Sequence, residues 1–362
     1  MNDRKFSLNQ IYFYLTEGCN LRCRHCWIDP GYQGGSSSYP SLSPELFRSI
    51  IRQAKPLGLS GVKLTGGEPL LHPQIHEILD EIRANDLRLI VETNGLLCTE
   101  GLALKMAACK NPFVSVSLDA ADAETHEWMR GVSGCFEAAG EGIRNLVNAG
   151  FRPQVIMTIM SRNKDQMKSV VHLAESLGCG SVKFNILQPT ARGEKMHDAG
   201  QTLDIEELVE LGEWVEKVLS PLTKLRLHYS HPLAFRPLSR MFGNNGGGCG
   251  ICGIRGILGV LADGSYAMCG IGETVPELVF GHAAADRLKD IWDDSPVLKE
   301  LREGLPGRLE GICGECLMKS RCLGSCVAQN YYLSKSLWAP FWFCEEINRK
   351  GLFPETRLTR KS

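Results

Sequence analysis

The stretch Cys19-Asn20-Leu21-Arg22-Cys23-Arg24-His25-Cys26 places three cysteines in one short loop, directly after the apolar run 11–15, which predicts a first β-strand. Structural zinc sites and ordinary electron-carrying clusters use four protein ligands, whereas this loop offers three. Three thiolates suit a cubane [4Fe–4S] cluster with one iron open to a substrate or cosubstrate. The plainer alternative is a group of buried free cysteines.

The spacing Cys-x3-Cys-x2-Cys resembles the cluster loop of radical S-adenosylmethionine (SAM) enzymes. The resemblance implies that Cys19, Cys23 and Cys26 hold a [4Fe–4S] cluster whose open iron binds the amino and carboxylate groups of SAM. One electron then cleaves SAM to a 5′-deoxyadenosyl radical. His25 departs from the family pattern, because an aromatic residue usually precedes the third cysteine.

The composition favours a globular protein without a nucleic-acid or membrane partner. Hydrophobic residues make up 43%, and 40 Lys and Arg against 41 Asp and Glu give a formal charge of −1. No apolar run is long enough to span a bilayer, and residues 1–10 are too polar for a secretory signal. We therefore expect a cytoplasmic chain, in which 15 cysteines favour metal or cluster binding over disulfides.

Strand and helix patterns alternate through the first half of the chain. The predicted strands are 11–15, 62–64, 89–92, 113–118, 155–160 and 182–187. Six β/α units in a row predict parallel strands joined by right-handed crossovers. The expected fold class is α/β, a partial (β/α)6 TIM-like barrel, and the core of radical SAM enzymes is similar to it.

Distinctive polar motifs follow these strands, at the end where β/α folds collect reactive groups. Gly66-Gly67-Glu68-Pro69 resembles the GGEP motif of the family, whose backbone and glutamate hold the SAM amino group. A glycine pair allows close approach to a ligand, and a carboxylate suits an ammonium group.

The resemblance implies further SAM contacts. Ser117 and Asp119 are similar to residues that contact the ribose and carboxylate, and Leu187 to the segment beneath the adenine. Arg130 stands where related enzymes place a guanidinium for the SAM carboxylate, the alternative being a solvated surface charge. Asn94 is expected to contact SAM or substrate. The sequence identifies no catalytic base.

A second set of cysteines occupies the last third of the chain. Its members are Cys249, Cys252, Cys269, Cys313, Cys316, Cys322, Cys326 and Cys344. Eight thiols divide into two four-cysteine sites, which bind zinc or iron–sulfur clusters. Considered alone, this segment leaves a double zinc ribbon as an equal alternative.

The spacing Cys252-x11-Gly264-x4-Cys269, followed by a Cys-x2-Cys-x5-Cys-x3-Cys array and a last cysteine, resembles the SPASM domain attached to radical SAM enzymes. Two auxiliary [4Fe–4S] clusters are usual there, which implies three clusters in all. Auxiliary cluster I would use Cys249, Cys252, Cys269 and Cys326. Auxiliary cluster II would use Cys313, Cys316, Cys322 and Cys344. The remaining cysteines, interpreted as core thiols, are Cys98, Cys109, Cys135 and Cys179.

These patterns divide the chain into four parts. We expect a radical SAM partial barrel at 1–195, a bridging helical segment at 196–245, a SPASM domain at 246–350 and a tail at 351–362. The glycine-rich run 243–248 predicts the boundary before the second domain.

The resemblance implies that a deoxyadenosyl radical takes a hydrogen atom from the substrate and that auxiliary clusters accept the electron lost. Relatives with this layout mostly modify ribosomally made peptides, so we expect a maturase that crosslinks a precursor peptide or oxidises its side chains. A small-molecule or tetrapyrrole biosynthetic enzyme is the alternative. A non-catalytic iron–sulfur electron carrier is an alternative from another class.

Two departures bear on substrate and partners. Gly270 follows Cys269, where sulfatase-maturing relatives carry an aspartate, which weakens a sulfatase interpretation. Residues 1–10 leave no room for the leader-binding module of many peptide maturases. We therefore expect a separate leader-binding protein or direct docking on the barrel, and a flavodoxin- or ferredoxin-type reductant.

Overall fold

The computed structural model describes residues 6–34, 38–238, 241 and 252–359. Two features predicted from the sequence, the ligand Cys249 and the boundary at 243–248, lie outside the described residues. Among the described helices, none is long and apolar enough to cross a membrane.

One ten-stranded sheet organises the described chain. Its strands are β1 (Gln10–Tyr14), β4 (Gly61–Thr65), β5 (Arg88–Thr93), β6 (Lys110–Ser117), β7 (Gln154–Ile159), β8 (Ser181–Ile186), β9 (Arg226–Tyr229), β10 (Ile257–Val260), β11 (Ser265–Ala267) and β12 (Val279–His282). The spatial order is β12-β11-β10-β1-β4-β5-β6-β7-β8-β9. A separate parallel pair, β2 (Gly18–Cys19) and β3 (Gly31–Tyr32), belongs to the cysteine loop.

In the spatial order that runs from β10 through β1 and β4 to β8 and ends at β9, all neighbouring strands are parallel. The pairs β10–β11 and β11–β12 are antiparallel. The six predicted strands are β1 and β4 to β8. They are consecutive in the sheet, which confirms the α/β partial barrel. Strand β9 was not predicted from the sequence and extends this run by one parallel strand.

Helices connect the parallel strands and cover their outer side. Those in the barrel are α1 (Pro44–Ala54), α2 (Ile75–Ala84), α3 (Glu100–Ala107), α4 (Ala123–Arg130), α5 (Cys135–Asn148), α6 (Met167–Ser176), α7 (Arg192–Asp198) and α8 (Ile205–Trp214). The start of α1 shows why they form: Ser43 caps the Leu46 amide, Pro44 takes the first helical position, and Phe47 and Ile50 turn inward to the core. Helix α8 lies in the predicted bridging segment and continues into a π-helical turn, Val215–Leu219.

The last third of the chain joins the barrel sheet. Strand β10 pairs with β1, with Gln10 opposite Ile257 and Phe13 opposite Val260. The helices that follow are α9 (Leu288–Asp294), α10 (Pro296–Gly304), α11 (Gly311–Glu315), α12 (Lys319–Cys322), α13 (Val327–Ser334) and α14 (Trp342–Arg349). The second cysteine set is therefore anchored to the first strand of the barrel, and the predicted domain limits stay a prediction.

Candidate active site

The three cysteines of the first loop line one cavity at the carboxyl ends of the parallel strands. Thr65, Thr93, Ser117 and Thr158, from the ends of β4 to β7, line the same cavity. Parallel strands bring their carboxyl ends to one edge of the sheet, which explains why residues far apart in sequence converge there.

Backbone contacts hold the cysteine loop in place. The amides of Arg22 and Arg24 donate to the carbonyls of Arg130 and Met129, at 3.0 and 2.9 Å, so the end of α4 supports the loop. From the other side, the Arg192 guanidinium donates to the Cys23 carbonyl at 3.1 Å. The sequence analysis missed Arg192, which follows the sixth predicted strand by a few residues.

The sulfur atoms of this loop are surrounded by donors. The Leu21 amide donates to the Cys19 sulfur at 3.4 Å, and the Arg130 guanidinium donates to the Cys23 sulfur at 3.6 Å. Burial raises the pKa of the Cys19 and Cys26 thiols, and the neighbouring Cys23 raises both further. Thiols this close and this buried need a compensating positive charge to ionise, which bound iron supplies.

The donor set fits a cluster better than a single ion. Within the described ranges, no three His, Cys, Asp or Glu side chains converge on a site for one metal ion. A cubane cluster spreads its ligands over several irons, and N–H donors to sulfur are usual around such clusters. Cys19, Cys23 and Cys26 stay the predicted ligands.

The glycine pair is required by the packing of two loops. A Cβ on Gly67 would lie 2.0 Å from the Gly18 carbonyl oxygen, and Gly66 has a φ of 120°. The Gly67 amide donates to the Thr16 carbonyl and the Glu68 amide to the Gly18 carbonyl, both at 3.0 Å. The Gly-Gly-Glu segment is thereby fastened to the strand that leads into the cysteine loop.

The Glu68 carboxylate is 1% exposed and accepts three hydrogen bonds from its own chain. The donors are the Leu70 amide at 3.1 Å, the Thr93 hydroxyl at 2.6 Å and the Asn94 amide at 2.8 Å. Burial raises the pKa of Glu68 to about 6, although these bonds lower it. Glu68 lines the cavity, so a contact with the SAM amino group stays a prediction; Pro69 is buried and begins a single 3₁₀ turn.

Asp119 and Arg130 form a buried ion pair beside the cavity. The Arg130 Nε lies 2.7 Å from the Asp119 Oδ2, and the Thr158 amide donates to Oδ1 at 2.9 Å. Burial is the largest effect on Asp119 and opposes its ionisation, but Arg130, the two nearby histidines and the Thr158 amide together hold the pKa of this carboxyl below its ordinary value. His25 lies 3.5 Å from the same oxygen, and its burial lowers its pKa to about 4, so the imidazole is neutral.

Arg130 lines the cavity, whereas Asp119 is 0% exposed behind it. This arrangement excludes the alternative of a solvated surface charge at Arg130. The contact of Asp119 with SAM stays a prediction, and its observed contacts are with Arg130, His25 and the backbone of Thr158.

The other predicted SAM residues differ in position. Ser117 and Asn94 line the cavity, and the side-chain amide of Asn94 donates to the side-chain oxygen of Asn20 at 2.7 Å. Leu187 is 4% exposed and lies against two neighbouring cavities instead of the first one, while the adjacent Ile186 and Gln188 line the first. Its role beneath the adenine stays a prediction.

Four cysteines of the second set surround one small cavity. They are Cys313, Cys316, Cys322 and Cys344, the four predicted for auxiliary cluster II. The Phe341 amide donates to the Cys313 sulfur and the Met318 amide to the Cys316 sulfur, both at 3.3 Å. Burial is the main cause that raises the pKa of the Cys344 thiol, and the thiols of the other three cysteines raise it further. All-thiolate chemistry and N–H donors fit an iron–sulfur cluster here, and ligation stays a prediction.

Cys252, Cys269 and Cys326 form a second group. Burial raises the pKa of the Cys269 thiol, and the nearby Cys326 and Cys252 thiols raise it further. These are the described members of the predicted auxiliary cluster I. The four cysteines interpreted as core thiols are all buried, each at most 7% exposed: Cys98, Cys109, Cys135 and Cys179.

A second, larger cavity of 670 Å³ fills the barrel interior between the two cysteine sets. It shares Asn185, Ile186 and Gln188 with the first cavity, and Cys252 and Cys326 line its far side. A substrate in this space would lie between the loop cysteines and the second cysteine set.

Comparisons with known proteins agree with this geometry. A model of the radical SAM superfamily matches residues 13–177, and a model of the SPASM iron–sulfur cluster-binding domain matches residues 249–317. An AdoMet-dependent heme synthase of Methanosarcina barkeri is 30% identical over 335 residues, 89% of this chain and 91% of the relative. Mycofactocin maturase MftC of Mycobacterium tuberculosis is 28% identical over 347 residues, 90% of this chain and 80% of the relative.

Among solved structures, SuiB of Streptococcus suis superposes with a TM-score of 0.72 in its SAM-bound form, at 17% identity, covering 94% of this chain and 77% of SuiB. Its form bound to the precursor peptide SuiA gives a TM-score of 0.71, also at 17% identity, covering 94% of this chain and 76% of SuiB. This likeness establishes the shared fold.

Proposed function

The chain belongs to the radical SAM superfamily and carries a SPASM iron–sulfur domain, and from this premise we propose that it is a maturase that oxidatively modifies a ribosomally synthesised peptide. The observation that carries the proposal is that two adjoining cavities, which share Asn185, Ile186 and Gln188, lead from the first cysteine set to the second. Hydrogen-atom abstraction at one side and electron acceptance at the other both require such a layout.

The cluster and SAM, when bound, supply the radical that takes a hydrogen atom from the substrate. Cys19, Cys23 and Cys26 would hold the cluster, and the Gly-Gly-Glu segment lines the same cavity as these cysteines. Arg130, which lines this cavity and is oriented by its ion pair with Asp119, would bind the SAM carboxylate. Burial of the loop keeps water away from the reacting atoms.

The second cysteine set, with Cys249 as a fourth ligand of cluster I, would hold two auxiliary [4Fe–4S] clusters, which makes three clusters with that of the first loop. A crosslink or a side-chain oxidation removes two hydrogen atoms in total, one as the abstracted atom and one as a proton and an electron. The auxiliary clusters would supply the acceptor for that electron. A flavodoxin- or ferredoxin-type protein would reduce the first cluster, and the peptide would be presented by a separate leader-binding protein or dock directly on the barrel.

Two comparisons support a peptide substrate. One relative is a maturase, MftC, and one structural neighbour was solved with a precursor peptide bound. The 670 Å³ cavity has room for a few side chains of such a peptide. The second candidate is a tetrapyrrole, because the 30% identical relative is a heme synthase.

One experiment separates the two candidates. The protein is reconstituted anaerobically and incubated with SAM, dithionite and either a candidate precursor peptide from a short reading frame neighbouring the gene or a porphyrin carboxylic acid. We expect 5′-deoxyadenosine together with a peptide lighter by two hydrogen atoms. A changed porphyrin with an unchanged peptide would refute the peptide proposal in favour of the tetrapyrrole.

A further inference from the structure

Among the lysine, arginine, aspartate and glutamate side chains of the described residues, only cations line the barrel-interior cavity. Its charged lining residues in the described chain are Lys63, Arg88, Lys183 and Arg236, and no aspartate or glutamate lines it. A low-dielectric space with one sign of charge attracts ligands of the opposite sign. The cavity therefore favours an anionic group.

Lys63 is already compensated. Its ammonium lies 2.7 Å from the Glu92 carboxylate and 4.8 Å from the centre of the Tyr12 ring. These contacts hold the Lys63 ammonium on the wall of the cavity, on strand β4 beside β5. Glu92 itself faces the first cavity.

Lys183 has no such close partner among the described residues. It lies in β8, with Ile156 of β7 and His228 of β9 opposite it in the sheet. The Lys183 ammonium makes no hydrogen bond or ion pair with residues 6–34, 38–238, 241 and 252–359. The Glu92 carboxylate attracts it only at longer range. Burial lowers the pKa of Lys183, which is the mark of a cation whose desolvation is not offset.

Its position connects the cationic wall to the SAM cavity. Side chains two residues apart on a strand face the same side, roughly 6.6 Å apart. Asn185, two residues beyond Lys183, lines both cavities. A group bound at Lys183 would therefore leave the adjoining atoms of the substrate directed at the three loop cysteines.

We propose that Lys183 is a substrate-binding residue, which together with the cationic wall holds a carboxylate of the substrate inside the barrel. This inference rests on the proposed peptide function and names the part of the peptide that enters: its chain terminus or an aspartate or glutamate side chain. A carboxylate completes the charge balance that the described chain leaves open at Lys183.

The test is chemical footprinting of lysines in the anaerobically reconstituted protein, read by mass spectrometry after brief acetylation. Glutarate is the first probe and glutaramide is its uncharged match. A bound carboxylate stabilises the ammonium form, so we expect glutarate to slow acetylation of Lys183 by about fivefold or more, with no effect of glutaramide. Lys217, an exposed residue outside the cavity, is the control and keeps its rate.

Two short peptides then distinguish the two sources of the carboxylate, the chain terminus and an acidic side chain. One has a free terminal carboxylate and no acidic side chain, and the other has an amidated terminus and one glutamate. Protection by the first assigns the chain terminus, and protection by the second assigns an acidic side chain. Failure of glutarate and of both peptides to protect Lys183 would overturn the proposal.

Two variants of Lys183 separate an effect on peptide binding from an effect on folding. Lys183→Met should weaken binding of the protecting peptide on the order of 10- to 100-fold, and Lys183→Arg, which keeps the charge, should restore most of it. Iron content and SAM-dependent 5′-deoxyadenosine formation without peptide report separately on the enzyme. If the unmodified protein binds no iron or forms no 5′-deoxyadenosine, the proposed function is refuted. If Lys183→Met and the unmodified protein bind the peptide with equal affinity, only the carboxylate site is refuted.

Discussion

Replacement of Gly67 by alanine tests how the Gly-Gly-Glu segment is joined to the cysteine loop. The new Cβ would lie 2.0 Å from the Gly18 carbonyl oxygen and 2.6 Å from its carbon, and 3.2 Å from the Thr16 carbonyl oxygen. All three atoms are backbone, so no flexible side chain can move aside. The two segments must separate, and the hydrogen bonds at 3.0 Å from Gly67 to Thr16 and from Glu68 to Gly18 are lost.

The magnitude follows from these contacts. Overpacking of a tight site costs about 1–3 kcal/mol, and each lost backbone hydrogen bond costs about 0.5–1.5 kcal/mol. Gly67→Ala should therefore lower the free energy of unfolding by roughly 2–6 kcal/mol. Because the displaced segment leads directly into Cys19, we also expect the first cluster to be lost or bound incompletely.

The assay is urea unfolding of the reconstituted protein, with iron content and the electron paramagnetic resonance signal of the reduced clusters. Gly101→Ala is the matched control, because a Cβ on this exposed residue of α3 meets no atom within 4 Å. It should change stability by less than about 1 kcal/mol. A Gly67→Ala protein with unchanged stability and a full first cluster would refute the reasoning.

Three further predictions concern other parts of the molecule. Asp119→Asn should weaken SAM binding on the order of tenfold, measured by equilibrium dialysis, because it leaves the buried Arg130 without its counter-charge; unchanged affinity would exclude this positioning role. Cys313→Ala should lower bound iron by about four atoms per chain, whereas Cys98→Ala should not, and equal iron in both would contradict the auxiliary site. Burial lowers the pKa of His231 from 6.5 to about 3, so its stabilising effect is present above pH 6.5 and lost as the pH falls towards 3. His231→Phe should reduce the stability lost between pH 7.5 and 5.5 by about 1.4 kcal/mol in urea unfolding, and an identical pH dependence would show that His231 does not contribute.

The barrel was predictable because its signals are local. The apolar runs of β1 and β4 to β8 and the cap at Ser43 are visible within a few residues of sequence. Helix α4 was missed because Ala-Glu-Thr-His-Glu-Trp-Met-Arg shows little apolar periodicity. Strand β9 was missed because it has four residues and lies between prolines. Pairing of β10 with β1 joins segments far apart in the chain, which no local pattern encodes.

The site shows the same division. The cysteine spacing was visible in the sequence, and the structure places Cys313, Cys316, Cys322 and Cys344 around one cavity. Ligation of clusters by either cysteine set stays a prediction. The partners of Glu68 and Asp119 were not predictable, since their donors come from other strands and from the end of α4. The role proposed for Lys183 was not predictable from the sequence, because a lysine within a strand gives no local sign that it lies in a cavity with no hydrogen bond or ion pair from the described residues.

Formation of 5′-deoxyadenosine tests the central claim most directly, namely that the first loop holds the cluster that cleaves SAM. The anaerobically reconstituted protein is compared with the Cys19→Ala, Cys23→Ala, Cys26→Ala triple variant in the presence of SAM and dithionite. We predict nucleoside from the unmodified protein and none from the variant, which should keep the iron of the second cysteine set. Nucleoside released by the variant at the unmodified rate would contradict the account.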